Sequence, residues 1–362
     1  MSADEEAILA TVVDVQGSGY RLAGARMLID RDGSSVGTVS GGCLEADVVE
    51  RAKKVLEGAE PAIISYDTTK EDNSVFGLGM GCRGVVRILL EPAKRNASLD
   101  FVRGCVAQRS TGMIATLISK TNEIALPIGF RLFALGGQRF EDSFSDPREW
   151  LHDLVPHISD DAEAVIESNR SFSKIYGTTE GELEFFLEAI NPPTSILIFG
   201  AGHDAPPLAN IAKQLGWRVI VIDHRPVFAT AERFPEADEV IVSRIEDLAD
   251  EVFSDPELVA VVMSHNYESD RMALHRLLTS SCRYIGALGP KMRTENLLDE
   301  LRVGGITFDE ARLEVVHSPV GLDIGATTPE SIALSIVAEI QTALSGRTGG
   351  FLRDRKGAIY DR

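Results

Sequence analysis

The sequence predicts an α/β protein: a Rossmann-like, doubly wound parallel sheet in the C-terminal half, preceded by an N-terminal α+β domain. Three observations carry this. Residues 195–225, SILIFGAGHDAPPLANIAKQLGWRVIVIDHR, run strand, glycine turn, helix and strand, closing on an acid, in the order of a dinucleotide-binding fold. Beyond Arg225 short apolar runs alternate with helical patterns as far as Leu344, as in a parallel sheet with crossover helices. Between residues 8 and 90 short strand patterns are punctuated by glycine turns, with a single helical stretch among them.

From the start of the chain, residues 8–15 and 25–29 read as strands. Between them lies a glycine-rich loop, Gly17 to Gly24, that carries Arg21. Asp32-Gly33 signals a turn into a third strand, Ser35 to Val39. Ser40-Gly41-Gly42-Cys43-Leu44-Glu45 then leads into a helix whose Leu44, Val48, Val49, Ala52, Val55 and Leu56 share a side, stopped near Gly58. Strands follow at 62–66 and 85–90. The stretch between them, Gly77 to Gly84 with Cys82 and Arg83, holds too many glycines for a helix or strand interior. The first domain is placed at 1–95. A middle segment, 96–190, reads as a helix at 98–109, strands within 113–135, hairpins and loops over 141–184, and an edge strand at Glu184 to Ile190. Asn191-Pro192-Pro193 is a stiff linker into a Rossmann-like domain at 191–345, with a polar tail at 346–362.

In that domain Gly200 makes the tight turn, Gly202 lets a phosphate approach the backbone, and Ala205 permits close helix–strand packing, the G-x-G-x-x-A form of the fingerprint. Leu208, Ile211, Ala212 and Leu215 give the helix an apolar face, and Pro206 and Pro207 fall in its first turn. Asp223 ends the second strand, where the fold places a ribose-binding acid, while Arg225 suits an extra phosphate. Strands are expected at Glu239–Val242, Leu258–Met263, Tyr284–Leu288 and Leu313–Val316. Helices are expected at Arg271–Leu278, Lys291–Leu301 and Pro329–Leu344. Ligands bind beyond the carboxyl ends of such strands. That puts Gly200 to Asp204, Asp223, Ser264-His265, Gly286 to Gly289 and His317-Ser318-Pro319 on one rim.

Composition narrows the function. A chain of 362 residues, 44% hydrophobic and 25% charged, is an ordinary globular protein long enough for two or three cores. Its net charge of -19 argues against nucleic-acid and anionic-membrane partners. No apolar run reaches membrane-spanning length, and the acidic start MSADEEAILA has no signal-peptide pattern. The four cysteines form no C-x-x-C pair and read as reduced thiols of a cytoplasmic protein.

These residues resemble the XdhC/CoxI family in two blocks. The first holds Gly17-Ser18, Arg21, Gly24-Ala25, Met27, Gly37 and Ser40 to Glu45. The second holds Ile198 to Ala205, Gly216-Trp217, Val219, Asp223-His224-Arg225, Tyr284-Ile285-Gly286 and Ser318 to Ala326. Tyr20 stands where members often have proline, and Arg83 where they often have glycine after the cysteine. The resemblance implies an accessory protein without independent turnover. It would bind molybdenum cofactor, as molybdopterin or its dinucleotide form, assist its sulfuration with a cysteine desulfurase, and deliver it to an apo molybdenum hydroxylase of the xanthine dehydrogenase type. A homodimer is expected.

The expected cofactor-binding residues are Gly200, Gly202, His203, Asp204, Asp223, Arg225, Arg21 and Arg83. The expected sulfur residues are Cys43 and Cys82, which lie in glycine-flanked loops open to a soft centre. Cys43 also precedes a helix, whose N–H groups would favour its thiolate. Cys105 and Cys282 read as structural. His265 and Asp270 match no standard metal spacing, and no metal site is expected. The alternative reading is an NAD(P)-dependent oxidoreductase using the same fingerprint. It needs a proton donor, for which His203, His265 and His317 are the candidates.

Overall fold

The first elements are β1 (Ala7–Gly17), β2 (Arg26–Asp30), β3 (Ser35–Gly37), α1 (Glu45–Gly58), β4 (Ala62–Asp67) and β5 (Gly84–Pro92). The strands form an antiparallel sheet in the order β3-β2-β1-β5-β4. β1 is buried along most of its length, and side chains alternate across a strand, so both of its faces are covered. Ile8, Ala10 and Val12 pack with Val48, Ala52 and Val55 of α1. Val13 packs the other way, with Leu89 of β5 and with Ile118 and Phe186 of a second sheet. The computed structural model describes residues 7–17, 21–58, 60–67, 84–93, 97–121, 124–140, 146, 148–168, 170–357 and 359. Residues 77–83 of the glycine stretch, with Cys82 and Arg83, lie outside them.

That second sheet follows α2 (Ala97–Gln108). It comprises β6 (Gly112–Lys120), β7 (Arg131–Leu135) and, after α3 (Glu149–Ser168), β8 (Phe172–Thr178) and β9 (Gly181–Ile190), antiparallel in the order β7-β6-β9-β8. Two expectations are corrected here. β9 is an interior strand, hydrogen-bonded on both sides, and not an edge. Much of 141–184 is a 20-residue helix rather than hairpins and loops. Leu151, Leu154, Val155, Ile158, Ala162 and Val165 keep helical spacing and bury against Met113, Leu117, Phe185 and Leu187. Pro156 inside the helix and its acidic outer face hide that period in the sequence.

The facing sheets of this unit, Met1–Asn191, are also joined by ion pairs. Arg26 of β2 grips Glu188 of β9 through two hydrogen bonds, 2.9 and 2.6 Å. Arg87 of β5 bridges Asp14 at 3.0 Å and Glu184. Arg131 of β7 reaches Glu91 of β5 at 2.6 Å.

The second unit, Pro192–Arg362, is wound from β10 (Ser195–Phe199), α4 (Ala205–Gln214), β11 (Arg218–Asp223), β12 (Glu239–Val242), β13 (Leu258–Val262), α5 (Tyr267–Leu278), β14 (Tyr284–Ala287), α6 (Lys291–Val303), α7 (Glu310–Glu314), β15 (Val316–His317) and α8 (Pro329–Leu344). All strand pairs are parallel, in the order β12-β11-β10-β13-β14-β15. Ile196 and Ile198 pack under α4 and α8, while Leu197 and Phe199 pack under α5 and α6, so helices cover both faces. A strand buried on both faces reads as a continuous apolar run, which is why β10 and β13 are legible in the sequence. Residues 313–316, expected as a strand, instead end α7 and start the two-residue β15.

Glu91 and Arg131 are the most buried of the inter-sheet pairs, with side chains 4% and 12% exposed. Glu91→Ala strands the guanidinium and is expected to cost about 3–5 kcal/mol of stability. Glu91→Leu combined with Arg131→Met is expected to recover most of that. Urea unfolding of the three proteins checks both.

Candidate functional site

The site is built at the carboxyl end of the parallel sheet, where the strand order reverses between β10 and β13. After Phe199 the chain turns at Gly200, whose φ of +113° few side-chain-bearing residues adopt. A Cβ there would stand 2.6 Å from Ser264 Cα and 2.7 Å from the Met263 carbonyl oxygen. Gly200 is therefore required by close approach to the loop after β13. Gly202 differs: a Cβ there would meet nothing within 4 Å, so its face is open. Asp204 is the N-cap of α4, makes no side-chain capping bond, and brings its own negative charge to this terminus. Pro206 and Pro207 supply no N–H, so free donors at this helix end come from the turn residues before them. His203 is exposed and meets Phe228 edge-on at 6.4 Å.

Arg233 holds the outer side of the turn. Its guanidinium donates to the carbonyls of Ala201 at 2.6 Å, Phe228 at 2.9 Å and Gly202 at 3.1 Å. No pattern in the sequence singles out Arg233, because the turn carbonyls it holds lie 32 and 31 residues back along the chain.

Asp223 is buried and holds the inner side. Its Oδ2 accepts from the Ala201 N–H at 2.8 Å and from Arg225 Nη2 at 2.7 Å, and its Oδ1 from the Arg225 N–H and Nε, both at 2.9 Å. Burial opposes the charge. The hydrogen bonds from Arg225 and Ala201 outweigh it and hold the carboxyl at about 2 against an ordinary 3.8. Arg225 in turn lies over the Phe228 ring, 4.2 Å from its centroid. Beside this network opens a cavity of about 400 Å³. Phe199, Ile222, Ile245 and Met272 contribute apolar surface, and Asp223, Ser243, Asn266 and Ser269 polar groups.

The loop after β13 is fixed separately. Asp270, 1% exposed, accepts from Ser264 Oγ at 2.5 Å and from Arg293 Nη1 at 2.5 Å. It has no ion pair with His265, whose Nε2 instead stands 3.8 Å from Asp204 Oδ2. His317 stacks on Tyr284 at 4.4 Å and lies 3.7 Å from Glu339. The three histidines proposed as proton donors thus have separate surroundings. Among the described residues no group of three or more His, Cys, Asp and Glu could hold a metal, and no helix is long and apolar enough to cross a membrane.

In the first unit the glycine loop before α1 folds around Glu45. Its carboxylate accepts from the N–H groups of Val39, Ser40, Gly41, Gly42 and Leu44 at 2.8–3.2 Å, from Thr38 Oγ1 at 2.5 Å, and from Ser40 Oγ. Burial opposes ionisation, but the Ser40 and Thr38 hydroxyls and the Ser40 N–H hold Glu45 well below the usual carboxylate range. Cys43 is exposed beside this nest. The N–H groups on either side of it, of Gly42 and Leu44, are bound to Glu45. Arg21 is exposed. Cys105 and Cys282 are buried, and burial pushes the Cys282 thiol up to about 12.

A six-stranded parallel sheet with a glycine turn at its switch point, in a chain that also carries an antiparallel α+β unit, defines a protein with a Rossmann-type ligand-binding domain. Residues 196–340 match the XdhC Rossmann domain and residues 1–67 the XdhC and CoxI family. The chain is 34% identical over 343 residues to a Bacillus subtilis protein named as a probable xanthine dehydrogenase subunit, covering 93% of this chain and 92% of that one. It is 22% identical over 335 residues to the molybdenum cofactor insertion chaperone PaoD of Escherichia coli, covering 92% and 82%. A crystal structure described as a xanthine dehydrogenase from Bacillus halodurans superposes with a TM-score of 0.73 at 31% identity, covering 95% of this chain and 93% of that one. The chain belongs to the XdhC and CoxI family.

Two outcomes follow from this geometry. Gly200→Ala is expected to lose about 2–4 kcal/mol of stability from clash and backbone strain, and Gly202→Ala less than about 0.5 kcal/mol; thermal unfolding separates them. Because the Asp223 carboxyl is depressed on folding, the stability it contributes is complete above its unfolded value and lost as pH falls. The stability gap between wild type and Asp223→Asn should therefore shrink between about pH 4 and pH 2, as read by denaturant titration at each pH.

Proposed function

We propose that this protein is an accessory factor that binds molybdenum cofactor, assists its sulfuration and delivers it to an apo molybdenum hydroxylase of the xanthine dehydrogenase type. The observation that carries this reading is the near end-to-end likeness to a protein named for xanthine dehydrogenase, joined by the likeness to one named a molybdenum cofactor insertion chaperone. The glycine turn fits a phosphorylated ligand, since the space beyond Gly202 is empty of protein. The backbone of Gly202, His203 and Asp204 would hold the phosphate of molybdopterin or of its dinucleotide form. When bound, the cofactor supplies the molybdenum centre that the client enzyme needs.

Among the described cysteines, soft chemistry falls to Cys43. Cys43 is open to solvent, and Cys105 and Cys282 are not. Cys82 is proposed with it on the family resemblance, and Arg21 and Arg83 as counter-ions for an anionic pterin. A cysteine desulfurase is the proposed sulfur source, a homodimer the proposed assembly and the cytoplasm the proposed compartment. The alternative, an NAD(P)-dependent oxidoreductase, asks Asp223 to accept a ribose diol, and the chain's own donors already occupy that carboxylate.

Gly202→Val should abolish binding of molybdopterin in calorimetry while leaving the unfolding temperature within a few degrees of wild type, because its side chain fills only the ligand's space. Wild-type affinity in that variant would remove the turn from the site. Cys43→Ser should bind molybdopterin normally yet fail to activate apo-hydroxylase at equal loading. Full activation by both Cys43→Ser and Cys82→Ser would leave the protein a carrier without a sulfur role.

A further inference from the structure

An ionised carboxylate offers about four acceptor positions. On Asp223 four donors fill them: the N–H groups of Ala201 and Arg225, and Nε and Nη2 of the Arg225 guanidinium. In a dinucleotide-binding sheet the acid at the end of the second strand ordinarily accepts from ribose hydroxyls. A vicinal diol brings two donors at fixed spacing to the two carboxylate oxygens. The Nε–Nη2 edge of a guanidinium brings the same, with a positive charge that makes each bond stronger. Arg225 is held to this task from both sides. Its backbone N–H is bound to the same carboxylate, and the Phe228 ring packs 4.2 Å from its guanidinium carbon.

We propose that Arg225 is a specificity-determining residue. It occupies the ribose-diol position of Asp223 and bars NAD(H)-type nucleotides from the cavity at the carboxyl ends of β10 to β13. To enter by its usual contact, a diol must displace two hydrogen bonds in which both partners are charged and replace them with bonds in which only the carboxylate is. It must also leave the guanidinium without its carboxylate. A ligand anchored by its phosphate at Gly202 needs no contact with Asp223 and escapes the lock. The proposal goes beyond the molybdenum reading and does not rest on it. Its probes carry no molybdenum or pterin, so the two readings fail separately.

The test is a fluorescence titration of full-length wild type, Arg225→Met and Arg225→Lys with NADH, alongside calorimetry with adenosine monophosphate and its dideoxy analogue. Methionine keeps an apolar stem against Phe228 and removes both side-chain donors. Lysine keeps the charge, but its single ammonium does not form the planar fork. Arg225→Met is expected to bind NADH at least about tenfold more tightly than wild type, with Arg225→Lys between them. Adenosine monophosphate should gain in the same order and the dideoxy analogue should not. Asp223→Asn in the Arg225→Met background should lose most of the gain. Wild type binding NADH as tightly as both variants overturns the proposal, and so does an equal gain for the dideoxy analogue. Should the methionine protein prove unstable in a thermal melt, the lysine variant decides by the same comparison.

Discussion

Four hydrogen bonds converge on the carboxylate of Asp223, and the C-terminal site depends on them. The Ala201 N–H ties the glycine turn to the end of β11, and Arg225 ties the following loop to the same two oxygens. Gly200 completes the arrangement by bringing its Cα against the backbone of Met263 and Ser264, an approach that any Cβ would prevent. The carbonyls on the outer side of the turn are held by Arg233. With its inner and outer sides pinned, the turn presents Gly202 and His203 outward in a defined conformation. A preorganised phosphate site requires this, since ordering the loop at the moment of binding would weaken affinity.

The same economy recurs in the first unit. The loop before α1 is a nest of N–H groups, an arrangement that attracts anions. Its occupant is the chain's own Glu45, as Arg225 is the chain's own occupant at Asp223. In both places a charged side chain satisfies backbone or carboxylate groups that a motif alone would assign to a ligand. Buried polar groups must find partners, and an intramolecular one is always at hand. Cys43 is left exposed at the lip of the nest with its neighbouring donors committed elsewhere.

The two sheets of the first unit meet across a mixed interface. Val13, Leu89, Ile118 and Phe186 supply an apolar patch, and Arg26, Arg87 and Arg131 bind carboxylates on the opposite sheet. Desolvating such pairs offsets much of their attraction, so the apolar patch and the helices carry the stability. The pairs constrain how the sheets are matched, because a slipped strand would leave a buried charge without its partner. Gly24 fits the same constraint, since a Cβ there would come within 2.9 Å of Glu188 Oε1.

The sequence by itself determined the Rossmann half almost completely. Strands buried on both faces are unbroken apolar runs, and the turn between β10 and α4 needs glycine for steric reasons that hold in any context. The N-terminal strands and α1 were equally legible from turn signals and helical spacing. The helix at 149–168 was not, because Pro156 and an acidic outer face mask a period that only its packing against β6 and β9 makes plain. Among the site residues, the sequence placed Gly200, Gly202 and Asp223 on the rim, since their positions follow from strand ends. Tertiary structure alone decided what they do. Whether a carboxylate is free or filled, and whether a nest is open or closed, depends on which donors the fold brings within hydrogen-bonding reach. Arg233, Glu45 and the Asp223–Arg225 pair owe their roles to backbone and side-chain contacts that no residue pattern encodes.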